Sequence, residues 1–255
     1  ASEPFLIAGS EEIKMKYLYR LGSGECPGSM AITEPNAGSD VVSMKTTAKK
    51  VDGGYVLNGS KIFITQGGVA PFIVVVVHTD RSKGNKGMSM VVVEQGDKGF
   101  IVGRQEHKMG IRGSETRELT FDDCFIPADR LIGPEGSGFK TLMNTFNYSR
   151  PNIAAQALGI AQGALDAAVA YAKERVQFGK TLSQQQGIQW MLAEMALAVE
   201  ASRTLVYRSG AMIDTEPNSP DIPRICSMAK WMASDTAMKV TTDAVQIFGG
   251  YGYSR

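Results

Sequence analysis

The 255-residue sequence has only three cysteines and two histidines. Cys26, Cys124 and Cys226 lie far apart, and no Cys-x-x-Cys pair occurs. That excludes a disulfide framework and a conventional zinc cage, and it predicts reduced thiols. His78 and His107 stand apart from any Cys or acidic cluster and read as structural or surface residues, so no metal site is expected. Charge of one sign is also lacking. Lys plus Arg number 27 and Asp plus Glu 26, a net charge of +1. No overall field attracts nucleic acid or an anionic membrane, and neither is expected as a partner. Long apolar runs are missing too: the longest, Phe72 to Val77, is strand-sized rather than bilayer-sized. What remains is ordinary: 43% hydrophobic and 21% charged residues, enough to bury a sizeable core.

The composition changes near residue 134. From Ser29 to Ile126 the chain is rich in Val, Thr and Gly. Short β-like runs are predicted at Met44 to Val51, Tyr55 to Leu57, Lys61 to Thr65, Phe72 to Thr79, Met88 to Glu94 and Glu118 to Phe121. Turn signals separate them, including Asp52-Gly53-Gly54, Asn58-Gly59 and Gly67-Gly68. Strands this close, with no helices between them, predict an antiparallel barrel or sandwich. After Gly133-Pro134 the helix formers Ala, Leu, Met, Gln and Glu dominate. Helices are expected at about 138–175, with a kink or break at Pro151, at 182–213 and at 222–248. In the second, Trp190, Ala193, Leu197 and Ala201 recur at helical spacing. Residues 1–25 look like the tail of a helical domain, and both ends of the chain look like cuts. The expected division is therefore 1–25, a β-domain at 26–133 and an incomplete helical bundle at 134–255, an α+β architecture.

Four segments could carry chemistry. Thr33-Glu34-Pro35-Asn36-Ala37-Gly38-Ser39-Asp40 could present backbone N–H groups and hydroxyls to an anion or a flat ring, though it also reads as a plain Pro-Gly loop. In Lys61-Ile62-Phe63-Ile64-Thr65-Gln66-Gly67-Gly68, Phe63 and Thr65 share one strand face, which suits stacking on a heterocycle and bonding its edge, or simply a half-buried strand. Glu174-Arg175-Val176-Gln177-Phe178-Gly179-Lys180 places Arg at a helix end, where it can meet a phosphate or merely the helix dipole. Gln246-Ile247-Phe248-Gly249-Gly250-Tyr251-Gly252 is a helix stop or a ligand turn. No Rossmann or P-loop fingerprint is present.

In this order and at this spacing the four segments resemble the acyl-CoA dehydrogenase family. Ser149-Arg150-Pro151 and Met195 fit as well. The resemblance spans nearly the whole chain. It implies an N-terminal helical domain, a middle β-barrel and a C-terminal four-helix bundle. It implies FAD as cofactor and oxidation of the α–β bond of an acyl-CoA thioester to a trans-2-enoyl-CoA, with hydride passing to flavin N5. Met30, Ile32, Thr33, Gly38, Ser39, Phe63, Ile64 and Thr65 match flavin-lining positions, Phe63 standing where tryptophan is common. Arg175, Gln177, Phe178, Gln185, Gln246, Gly249 and Gly250 match positions that contact the FAD of a neighbouring subunit. Ser39, Asn147 and Arg150 match substrate positions, although Asp is usual where Asn147 stands. Electron-transferring flavoprotein and a homotetramer are the implied partners.

The resemblance places the α-proton base, a Glu, beyond Arg255; the alternative family position is Ser149, which cannot serve. A fragment of a longer enzyme is therefore expected. A non-catalytic flavin or acyl-CoA scaffold and an oxidase of the same fold are the alternatives. Reduced thiols suit a bacterial cytoplasm or, in a eukaryote, the mitochondrial matrix.

Overall fold

The computed structural model describes residues 1–254. The chain divides into two compact units, one over Ala1–Thr145 and one from Phe146 onward. The division falls inside a helix, and the first 25 residues belong to the same unit as the sheet.

The first unit opens with α1 (Glu3–Ala8), then α2 (Glu11–Ile13) and α3 (Tyr19–Gly22), linked by a π-turn over Lys14–Leu18. Ser10 caps α2: its side chain accepts from the Ile13 N–H. Phe5 and Tyr17 bury their rings against Phe72. The strands are β1 (Ser29–Ala31), β2 (Thr47–Val51), β3 (Gly54–Thr65), β4 (Phe72–His78), β5 (Met88–Glu94), β6 (Phe100–Gln105), β7 (Thr116–Pro127) and β8 (Leu131–Ile132). They form one sheet in the order β6-β7-β3-β2-β4-β5-β8, with β1 beside β4.

Two expectations change here. The path is open, with β6 and β8 at its ends, so the barrel is a curled half-barrel. It is also not purely antiparallel. β1 runs parallel to β4 at Ile73–Val75, and β2 meets β4 in parallel at His78. The cause is β4 itself. Its seven residues are all buried, and a strand covered on both faces accepts parallel neighbours. The Asn58-Gly59 turn is also absent: β3 runs through it with a register shift between Leu57 and Gly59. Asn58 instead bonds the side chain and backbone N–H of Asp123 on β7.

The second unit holds most of α4 (Gly138–Glu174), the hairpin β9 (Val176–Gln177) and β10 (Lys180–Thr181), α5 (Gln186–Thr215), α6 (Ile222–Phe248) and α7 (Gly250–Tyr253). Pro151 neither ends nor splits α4. It removes only the N–H that would have bonded the Asn147 carbonyl. By length and composition α4 could cross a bilayer, with a mean hydropathy of 1.3 over its most apolar stretch. The sequence reading missed this because Gln, Gly and Asp166 interrupt the contiguous apolar runs. In the structure Ala154, Leu158, Ala161, Leu165, Ala168 and Ala172 form a buried stripe. That stripe shares one apolar cluster with Met195, Val199 and Val206 of α5 and Ala229, Ala233 and Val240 of α6. A buried Ser202–Thr236 hydroxyl bond of 2.8 Å ties α5 to α6. The expected α5 stripe is displaced: Trp190 and Leu197 are exposed, and Met195, Val199, Ser202 and Val206 face inward. α5 is apolar on more than one side, so spacing alone could not choose the buried one.

Candidate functional site

In the first unit the Thr33–Asp40 segment and the end of β3 come together. Glu34 and Ala37 exchange backbone bonds of 3.0 and 3.1 Å, closing a turn over Pro35-Asn36. The Ile62 N–H donates to the Thr33 carbonyl at 2.9 Å. Ser29 Oγ donates to the Thr65 carbonyl at 2.8 Å. Beneath the turn lies an ion pair that the sequence reading missed. Lys61, fully buried, donates to the Ile32 carbonyl at 2.9 Å and to Glu34 Oε1 at 3.0 Å. Glu34 also accepts the N–H groups of Lys45 and Thr46. Burial pushes Lys61 down to about 8, while the Glu34 carboxylate acts in the opposite sense. Burial acts to raise Glu34, but the Lys45 and Thr46 bonds and the Lys61 charge outweigh it and leave Glu34 below the ordinary carboxylate range. The available signal was a lysine among apolar strand residues, which needs an acidic partner when buried.

Above this pair the chain is strained. Phe63 has φ 60°, and the residue is 60% exposed. Gln66 follows at φ 59°. A bulky residue in the left-handed region is an outlier whose strain concentrates at ligand clamps. β3 loses register between Lys61 and Ile64, and that shift puts Phe63 and Thr65 at the surface while Ile64 is buried. Ile32 and Thr33 are half-exposed, as is Met30, and Gly38 and Ser39 are exposed. A Cβ placed on Gly38 would meet nothing within 4 Å, so the loop there is open. Of the eight expected flavin-lining residues, Ile64 alone turns its side chain into the sheet core.

In the second unit a different clamp forms. β9 and β10 make a two-residue hairpin, with Gln177 opposite Lys180. Phe178 and Gly179 at its tip have φ 54° and 75°, the two positive values that a primed hairpin turn requires. Glycine suits this; phenylalanine does not, and Phe178 is 96% exposed. The Arg175 guanidinium lies over the Tyr251 ring at 5.6 Å, and Tyr171 stacks on Phe248 at 4.4 Å. These residues, with Gln177, Gly249 and Gly250, line a cleft of about 550 Å³. Gly249, at φ 61°, ends α6. Gln246 is exposed, and Gln185 Nε2 donates to the Gln177 carbonyl at 3.4 Å. Of the seven expected residues, Arg175, Gln177, Gly249 and Gly250 line this cleft together with Tyr171 and Tyr251, and Phe178, Gln185 and Gln246 do not. Asn147 and Arg150 share one face of α4, joined by a 3.3 Å bond. Ser149 Oγ turns back to the Phe146 carbonyl.

The donor set fits a flavin dinucleotide. An exposed, strained aromatic beside hydroxyls suits a flat heterocycle with a polar edge, and an arginine beside a glycine turn suits a phosphate. An open mixed sheet followed by long helices defines a two-unit protein of the α+β class. Family models narrow this further. The acyl-CoA dehydrogenase middle-domain model matches residues 29–124, and the C-terminal-domain model matches 136–255. The chain is 50% identical over 248 residues to the short-chain-specific acyl-CoA dehydrogenase of Clostridium acetobutylicum, covering 97% of this chain and 64% of that one. Butyryl-CoA dehydrogenase from Megasphaera elsdenii superposes with a TM-score of 0.96 at 48% identity, over 100% of this chain and 66% of that one. PigA, solved with FAD and proline, superposes with a TM-score of 0.95 at 33% identity, over 100% and 66%. The chain belongs to the acyl-CoA dehydrogenase family. It spans 64–66% of the length of these relatives.

Proposed function

We propose that this chain is the flavin- and substrate-binding part of an FAD-dependent acyl-CoA dehydrogenase. The observation that carries the reading is Phe63, a strained and exposed aromatic residue at φ 60° beside the Thr33–Asp40 loop. In this reading Thr33, Ser39, Phe63 and Thr65 hold the flavin ring, with Met30, Ile32, Gly38 and the Ile64 backbone completing the surface. FAD, when bound, supplies the acceptor for the β-hydrogen as hydride. Phe63 excludes water from one side of the reacting groups, and the Thr65 hydroxyl orients the ring edge. Arg175, Gln177, Phe178, Gln185, Gln246, Gly249 and Gly250 serve the FAD of a neighbouring subunit in a homotetramer. Asn147 and Arg150 hold the CoA portion, where a guanidinium suits phosphate or adenine, and Ser39 reaches the thioester chain.

The α-proton base is proposed to be a carboxylate outside residues 1–255. The Ser149 hydroxyl, bonded to a helix carbonyl, is no candidate. Electron-transferring flavoprotein is the proposed acceptor.

Anaerobic titration of the full-length protein with a panel of acyl-CoA esters tests this reading. Bleaching of the flavin band by one ester is the expected result, and it names the substrate class. A flavin that no ester bleaches would favour a binding module. Reoxidation by O2 as fast as by electron-transferring flavoprotein would favour an oxidase.

A further inference from the structure

The buried Lys61–Glu34 pair has no place in the proposed chemistry. The Lys61 ammonium has no free donor for a ligand. The Lys61 ammonium has three N–H donors, and three acceptors surround it: the Ile32 carbonyl at 2.9 Å, Glu34 Oε1 at 3.0 Å and Met44 Sδ at 3.6 Å. Glu34 spends its other capacity on the backbone N–H groups of Lys45 at 2.6 Å and Thr46 at 3.0 Å. All three Lys61 donors are thus engaged within the chain, and both Glu34 oxygens accept from it. What the pair touches is informative. It joins three segments: Ile32–Glu34, Met44–Thr46 and, through Lys61 itself, β3. Lys61 is the last residue of β3 in register with β7, opposite Leu119, before the shift that carries Phe63 into the left-handed region. One residue beyond it, the Ile62 N–H bonds the Thr33 carbonyl.

We propose that Lys61 and Glu34 are positioning residues that lock the Ile32–Glu34 segment onto β3, so that the Thr33 and Phe63 segments are fixed in place before FAD arrives. The inference rests on the reading of these segments as flavin-binding. A strained conformation persists only where its surroundings over-determine it. A buried charge bonded to the neighbouring turn does this more firmly than a neutral bond. Preorganisation of this kind raises affinity by raising the fraction of molecules competent to bind.

The test compares Lys61→Met and Glu34→Gln with Val91→Ala, a core truncation on β5 away from the turn. FAD dissociation constants and the visible flavin spectrum are measured on each. Hydrogen exchange of the Ile62 amide is followed in the FAD-free protein. Lys61→Met is expected to weaken FAD binding about tenfold or more, broaden the flavin band and expose the Ile62 amide, with the β4–β5 amides still protected. Glu34→Gln, which keeps the side-chain shape, is expected to shift the same readouts less, and it carries the test if Lys61→Met does not fold. Val91→Ala is expected to lower Tm with unchanged flavin affinity. Wild-type FAD affinity and spectrum in both pair variants would overturn the proposal. So would losses no larger than those of Val91→Ala at equal Tm. A wild-type protein that binds no FAD would sink the functional reading instead. The Ile62 amide then decides the lock alone: exposure in Lys61→Met supports it, and retained protection overturns it.

Discussion

Lys61 is held in the folded protein with no exposed surface, and its proton is correspondingly weakly held. Burial pushes its pKa from 10.5 down to about 8. Between these values the unfolded chain binds the proton and the folded chain releases it. Stability contributed at this site therefore rises with pH from about 8 to 10.5, and below 8 the burial penalty is fully present. Tyr17 and Tyr55 act in the opposite sense. Burial and acidic neighbours push each from 10 up to about 12, so the folded protein keeps a proton that the unfolded chain loses, and stability falls across that window. Cys124, raised by burial from 9 to about 11, also opposes it. The clean quantity is the difference between wild type and Lys61→Met. Unfolding free energies from urea titrations at several pH values should show that difference rising in favour of wild type between pH 8 and 10.5. A flat difference would mean that Lys61 titrates as a free lysine does. At this scale the sequence displayed most of the candidate site. Thr33, Ser39, Phe63, Thr65, Arg175 and Phe178 sit inside motifs that stand out by composition and order. For the lock beneath them the sequence offered only a lysine among apolar residues and not its partner, because the separation between Glu34 and Lys61 carries no periodic signal and only folding brings them to 3.0 Å.

β3 shows how one element supports the site. A sequence reading divides it at Asn58-Gly59, a strong turn signal. The strand instead runs from Gly54 to Thr65, because β7 pairs with it on both sides of that dipeptide. Glycine is needed there for another reason. Gly59 has φ 142°, and a Cβ on it would lie 2.5 Å from Thr46 Oγ1 and 2.7 Å from Thr46 Cα. Thr46 is also a donor to Glu34, so the close approach of Gly59 keeps the Glu34 acceptor site in place. Gly59→Ala should cost at least about 2 kcal/mol, read as a lower denaturant midpoint at unchanged m-value. A loss below ~0.5 kcal/mol, the range of ordinary surface changes, would show that the segment shifts freely. The β9–β10 hairpin makes a related point. Its length and glycine were legible, but the left-handed φ of Phe178 was not, since sequence rules place Asn or Gly at that position.

At the scale of the whole chain, the proposed FAD-binding residues fall into two sets, one in each compact unit. A ligand that binds only the folded state stabilises it by mass action. FAD at about 100 times its dissociation constant should add ~2.7 kcal/mol and raise Tm by roughly 5–10 °C. Thermal unfolding with and without added FAD checks this, and riboflavin, which lacks the phosphates and adenosine, should raise Tm less. No shift with FAD would argue against the flavin reading of both clamps.

Sequence alone determined the change from strand-forming to helix-forming chain near residue 134, the span of α6 and the order of the four motifs. These are local properties, set by side-chain propensity, turn residues and short spacings. Tertiary structure decided which strands pair in parallel, which face of α5 is buried, that Pro151 stays within α4, that Phe63 and Phe178 are strained and exposed, and that Lys61 meets Glu34. Each depends on contacts between residues far apart in the chain. The burial and hydrogen bonds gained there outweigh what any local window prefers.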